Sequence, residues 1–117
     1  MKEFDLKERT KRFALRIIKL YTLLPKTGEA QVIGKQVLRS RTSVGAQYRE
    51  ACRSRSNSEF ISKMQSSLQE LDETAYWLEL LSDGSIIKAE KLVELRKETE
   101  ELTAIFVSSV KTAKSRR

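Results

Sequence analysis

Apolar residues return at intervals of three and four along nearly all of this chain, and the pattern is interrupted at three short segments. That period sets side chains on one face of an α-helix, whereas a half-buried strand needs strict alternation, which no stretch shows. The chain is thereby restricted to helices that each bury one apolar stripe against the others. Leu6, Phe13, Ile17, Leu20 and Leu24 mark a first helix over about 6–24, opened by the capping box Asp5/Glu8 and stopped by Pro25. After Pro25-Lys26-Thr27-Gly28, the residues Ile33, Val37, Val44, Tyr48 and Ala51 mark a second over about 29–55. A second capping box, Ser56/Glu59, opens a third over about 57–82, whose stripe is Ile61, Met64, Leu68, Leu71, Ala75 and Leu78 and whose stop is Asp83-Gly84. Ser85 is placed to cap a fourth over about 86–111, with Leu92, Leu95, Thr99, Leu102 and Phe106 inward. Linkers this short make neighbours antiparallel, so the expected fold is all-α: an up-down-up-down four-helix bundle over 1–112, followed by a frayed basic tail, 113–117. The first helix is the shortest, which leaves part of the bundle less covered.

A chain of 117 residues can bury a core without a disulfide or a metal. It has no His and one Cys, which removes His-containing triads, His metal sites and Cys-rich zinc sites. A ferritin-like di-metal centre needs Glu-x-x-His pairs and is removed as well. Glu70 and Glu73, or Glu98 and Glu101, lie off the apolar stripes, and Gly28, Gly34, Gly45 and Gly84 form no phosphate-binding loop. No enzymatic activity and no cofactor are expected. The start lacks an apolar leader region and no run approaches 18 apolar residues, so neither a signal peptide nor a membrane span is read. The single thiol, Cys52, suits a reducing compartment, and a cytoplasmic location is expected.

Charge is unevenly spread: residues 1–55 carry 14 basic and 5 acidic side chains, 56–101 carry 5 and 11, and 102–117 carry 4 and none. A basic half points to a polyanionic partner, RNA or DNA, unless it pairs with the acidic half within or between chains. Arg9, Arg12, Arg16 and Lys19 form one ridge on the first helix; Arg49, Arg53 and Arg55 end the second; Lys111, Lys114, Arg116 and Arg117 form the tail. These are the candidate phosphate contacts, with Glu94, Glu98 and Glu101 available to neutralise the ridge across the bundle instead. No aromatic residue interleaves with the ridge, which argues against base stacking there.

The second helix carries a polar ladder, Arg39, Ser40, Ser43, Gln47 and Glu50, beside its apolar arc. Arg39 and Glu50 are three turns apart, so each would bond a neighbouring helix and fix its register, or else be wetted by solvent. Gly34 and Gly45 suggest a close helix approach. On the third helix Trp77 and Leu80 project away from the core stripe beside Glu70 and Glu73, an extra face to be buried by a second subunit or by a neighbouring helix of the same chain.

Residues 5–20, Gln36 to Ala51 with Arg39-Ser40-Arg41-Thr42-Ser43-Val44-Gly45-Ala46, Phe60 to Lys63, and Glu70 to Leu81 with Tyr76-Trp77-Leu78-Glu79-Leu80-Leu81 together resemble the bacterial 23S rRNA intervening-sequence proteins. The resemblance covers 5–82 closely and the last helix in pattern. It implies an antiparallel four-helix bundle without established enzymatic activity, and a homo-oligomer, since related proteins form pentameric barrels. It also implies kinship with the accessory variability proteins of diversity-generating retroelements, which bind a reverse transcriptase and nucleic acid. By position Arg39, Ser40, Thr42, Ser43, Gly45 and Glu50 match the family's second-helix motif, and Glu70, Glu73 and Trp77 its third; Gln47 stands where the pattern has Asn.

Overall fold

Each interruption in the apolar pattern becomes a turn, and each uninterrupted stretch a helix. The computed structural model describes residues 5–116, apart from the side chains of Arg41 and Thr42, so the expected roles of Thr42 and Arg117 lie outside the described residues. The helices are α1 (Leu6–Thr22), α2 (Gly28–Cys52), α3 (Asn57–Asp83) and α4 (Val93–Lys114), with a 3₁₀ turn at Ala89–Lys91, and among the described residues there is no strand. They form an antiparallel bundle 48 Å long. Among the described residues no helix is long and apolar enough to cross a membrane.

Helix starts follow their capping chemistry. The Asp5 carboxylate accepts from the Glu8 backbone N–H at 3.2 Å, and Ser56 Oγ accepts from that of Glu59 at 3.0 Å while Glu59 accepts from the Arg55 N–H at 2.9 Å. Thr27 caps α2 in the same way through Ala30. The core is built from all four stripes: Phe13 and Ile17, Val37 and Val44, Met64, Leu71 and Leu78, Leu102 and Phe106 are all almost completely buried.

Three expectations need correction. Ala75 is exposed, and Ser67 and Thr74 are buried on the inward face of α3 in its place. Their hydroxyls can be buried there because each donates to a backbone carbonyl, Ser67 to Val44 across the α2–α3 seam and Thr74 to Glu70 within the helix. Ser85 does not cap the last helix. It adopts φ 59°, and its N–H donates to the Ser82 carbonyl while the Ile86 N–H reaches back to Leu81, so that it closes α3 as a Schellman stop. The chain then needs a further turn before α4 can begin at Val93. At its far end α4 runs on to Lys114 because Ala113 is still buried against the core.

Helix α1 leans on α2 and only lightly on α4. Gly34 and Gly45 permit this: a Cβ on Gly34 would lie 2.5 Å from Leu24 Cδ1, and one on Gly45 3.3 Å from Thr10 Oγ1. Beside the start of α1 a groove of about 570 Å³ is lined by Leu6, Tyr48 and Ile105.

Candidate nucleic-acid interface

An even number of alternating helices brings the C-termini of α2 and α4 to the same end of the bundle as the N-terminus of α3. Cations are favoured in the last turn of a helix because they face its unpaired carbonyls, and both helices end in them. Arg49 lies in the last turn of α2 and Arg53 caps it; Lys111 and Lys114 lie in the last turn of α4. Arg55 and Arg116 follow each helix directly. Two clusters 56 or more residues apart in sequence thus share one surface, and the Asn57 side-chain amide ties them by donating to the Ala113 carbonyl at 2.7 Å. Arg49, Arg53, Arg55, Lys111, Lys114 and Arg116 are all exposed, and none of the six makes an ion pair among the described residues. Of the acidic residues at this end, Glu59 accepts from the Arg55 backbone N–H at 2.9 Å, and Glu50 is held below the usual carboxylate range first by Lys63 at 2.7 Å and more weakly by Arg53.

The ridge on α1 is a different surface. Arg9 Nε and Nη2 donate to the two carboxylate oxygens of Glu98, both at 2.8 Å, and Nη2 also reaches Glu101 at 2.7 Å. These bonds hold its guanidinium charged and pair it within its own chain across the α1–α4 seam. Arg12 pairs with Glu8 at 3.3 Å. A groove of about 740 Å³ along this seam is lined by Arg9, Arg12 and Arg16 but equally by Asp5, Glu8 and Glu98, and Arg16 also faces Glu94 and Glu101. Lys19, in the last turn of α1, is exposed. The ridge is counterbalanced by its own chain; the end of the bundle is not.

The ladder on α2 bonds α3. Arg39 Nη2 lies 3.3 Å from Glu73, and Ser40 Oγ donates to the same carboxylate at 3.3 Å from a fully buried position. Ser43 Oγ bonds back to the Arg39 carbonyl. With Glu50 on Lys63, the seam has one ion pair near the middle of α2 and one near its C-terminus, which together fix the register of α2 against α3. Trp77 is half-buried against the core of its own chain, so it is not the anchor of an open face; Leu80 is half-buried too, and Tyr76 beside them is the exposed ring. Two buried polar atoms on this face lack partners among the described residues, Glu70 Oε1 and Trp77 Nε1. Burial first, then the charge of Glu73, pushes the Glu70 carboxyl above its ordinary pKa, partly offset by Arg39.

Sequence spacing identified both basic clusters of the end surface but not that they meet. It also missed Phe60, Ser108, Ser109 and Thr112, which line a groove of about 370 Å³ between the start of α3 and the end of α4 beside Arg116. A usable signal was present: Phe60 follows Ser56 by one helical turn, directly after Arg53 and Arg55.

Comparison with known proteins identifies a family and a similar solved fold. The family model of the 23S rRNA-intervening sequence protein matches residues 2–108. A crystal structure of a protein of unknown function from the S23 ribosomal protein family of Bacteroides thetaiotaomicron is similar, with 38% sequence identity and a TM-score of 0.84. The match covers 90% of this chain and 97% of that one. No curated protein matches the chain.

Proposed function

The chain belongs to the 23S rRNA-intervening sequence protein family, and from that premise we propose that it is a non-enzymatic, cytoplasmic nucleic-acid-binding protein that holds backbone phosphates on the cationic end of its bundle. The observation that carries this is the meeting of Arg49, Arg53 and Arg55 with Lys111, Lys114 and Arg116 on one exposed surface without ion-pair partners among the described residues. Such a surface neutralises phosphates without reading bases, and binding releases counterions. Self-association is part of the reading, as a homo-oligomer and, by the resemblance, a pentamer: repeating one cationic end around an axis converts weak contacts into avidity. Leu15, Ile18, Leu23 and Val32, exposed on α1, the α1–α2 turn and α2, support it in place of Trp77.

The test is fluorescence anisotropy with short labelled RNA and DNA over a salt series. Affinity should fall with a log–log slope of about −0.7 per single-strand phosphate neutralised. Arg53→Glu/Arg55→Glu should weaken binding more than tenfold, and Arg12→Glu/Arg16→Glu much less. Absence of binding, or affinity indifferent to salt, overturns the reading. Light scattering tests assembly, and a monomer at tens of micromolar refutes it.

A second reading rests on the opposite charge. Asp72, Glu79 and Glu100 surround the exposed Tyr76 in a groove between α3 and α4 that holds one cation, Arg96. That surface fits a basic protein partner, such as the reverse transcriptase implied by the retroelement kinship.

A further inference from the structure

The cationic end carries more than charge. Phe60 packs partly against the core, and the rest of its side chain lines the groove between the start of α3 and the end of α4. Around it stand Asn57, Ser108, Ser109, Thr112 and Arg116. The Thr112 hydroxyl is distinctive. Threonines in helices ordinarily bond the carbonyl one turn back, and Thr10, Thr74, Thr99 and Thr103 do so. Thr22 and Thr27 are bonded too. Thr112 makes no side-chain hydrogen bond among the described residues, and neither do its groove neighbours Ser108 and Ser109. The groove therefore offers an aromatic side chain, three unbonded hydroxyls and one guanidinium, at the same end of the bundle as Arg53 and Arg55. At about 370 Å³ it lies near the lower limit of small-molecule sites, roughly 300–1,000 Å³, room for one nucleotide and not for a duplex.

Building on the proposed phosphate binding, we propose that this groove takes one unpaired ribonucleotide of a single-stranded RNA. Its base stacks on Phe60, its 2′-hydroxyl and ribose face Ser108, Ser109 and Thr112, and its phosphate lies at Arg116. A base can be stacked by a side chain only when it is splayed out of a helix, and hydroxyl partners distinguish ribose from deoxyribose. Asn57, Phe60 and Ser108 lie within the matched family region, and Ser109, Thr112 and Arg116 lie beyond its end at residue 108.

The experiment compares three labelled probes at one salt concentration: a ten-nucleotide oligouridylate, its deoxy counterpart, and a ten-base-pair RNA duplex. The single-stranded RNA should bind about tenfold tighter than the duplex. Phe60→Leu should lower its affinity about tenfold, in the range of one base–aromatic stack, and leave the duplex unchanged; Phe60→Trp should restore it. Thr112→Val, at an exposed helical position that tolerates substitution, should narrow the preference for RNA over its deoxy counterpart. Circular dichroism melts confirm that each variant is folded. If single strand and duplex bind alike, Arg53→Glu/Arg55→Glu abolishes both and Phe60→Leu changes neither, the nucleotide site is overturned while phosphate binding stands. If the unsubstituted protein binds none of the probes, phosphate binding itself fails and the site with it.

Discussion

Replacing Arg9 by Met keeps the length and apolar stem of the side chain and removes three charge-assisted hydrogen bonds, two to Glu98 and one to Glu101. Each such bond contributes about 1.5–3 kcal/mol where water is excluded. The pair is only partly buried, with side-chain exposures of 25% for Arg9 and 16% for Glu98, while Glu101 is 53% exposed, so solvent screening removes much of that sum. The variant also leaves Glu98 without its cation beside Glu101. A net loss of about 1.5–2 kcal/mol follows, equivalent to roughly 6–8 °C in Tm for a domain of this size. Urea and thermal unfolding followed by circular dichroism at one fixed protein concentration measure it. Arg9→Lys should recover about half of the loss, since an ammonium keeps the charge but cannot match both oxygens of Glu98. A double-mutant cycle with Glu98→Gln should give a coupling of about 1 kcal/mol, shrinking as salt is added. Additivity of Arg9→Met and Glu98→Gln, or a loss below about 0.5 kcal/mol, would refute the view that this clamp closes the α1–α4 seam.

Two further outcomes are specific. Ser85 holds a left-handed conformation, φ 59°, that disfavours residues with a Cβ, so Ser85→Gly should raise stability by up to about 1 kcal/mol in chemical denaturation. Glu70 has its folded pKa above its unfolded value, so its ionisation costs stability that is absent below the unfolded pKa and is fully felt once pH has risen past the folded one. Glu70→Gln should therefore gain on the parent chain as pH rises from acid to neutral and match it in acid; a constant difference across pH melts would exclude burial of the carboxylate as the cause.

Legibility in the sequence divides by range. The starts of α1 and α3 were readable because they are set by residues three apart, Asp5/Glu8 and Ser56/Glu59, which bond locally. The start of α4 was misread because a serine does at position 85 what glycine usually does, and nothing in the local sequence marks a left-handed serine. Ala75 was misplaced since a hydroxyl that bonds a carbonyl can be buried as readily as a methyl, and spacing alone cannot choose between Thr74 and Ala75. The partners of Arg39 and Glu50 depend on the register of α2 against α3, which the sequence placed at an interface without naming Glu73 or Lys63. Each basic cluster of the candidate interface was legible singly, because cations collect at helix ends. Their union was implicit in the up-down topology, and Phe60, half in the core, was marked only by its place one turn after Ser56.

The closing of α4 at the end where α1 opens has a practical side. A polypeptide joined before Asp5 or after Arg116 emerges at the cationic end, so a purification tag at either terminus is held at high local concentration over the surface to be assayed. An acidic tag would occupy it and a polyhistidine tag would add cations to it. A circular permutant that links Arg116 to Asp5 and opens the chain in the Ser85–Lys88 turn moves both free termini, and any tag on them, to the opposite end of the bundle.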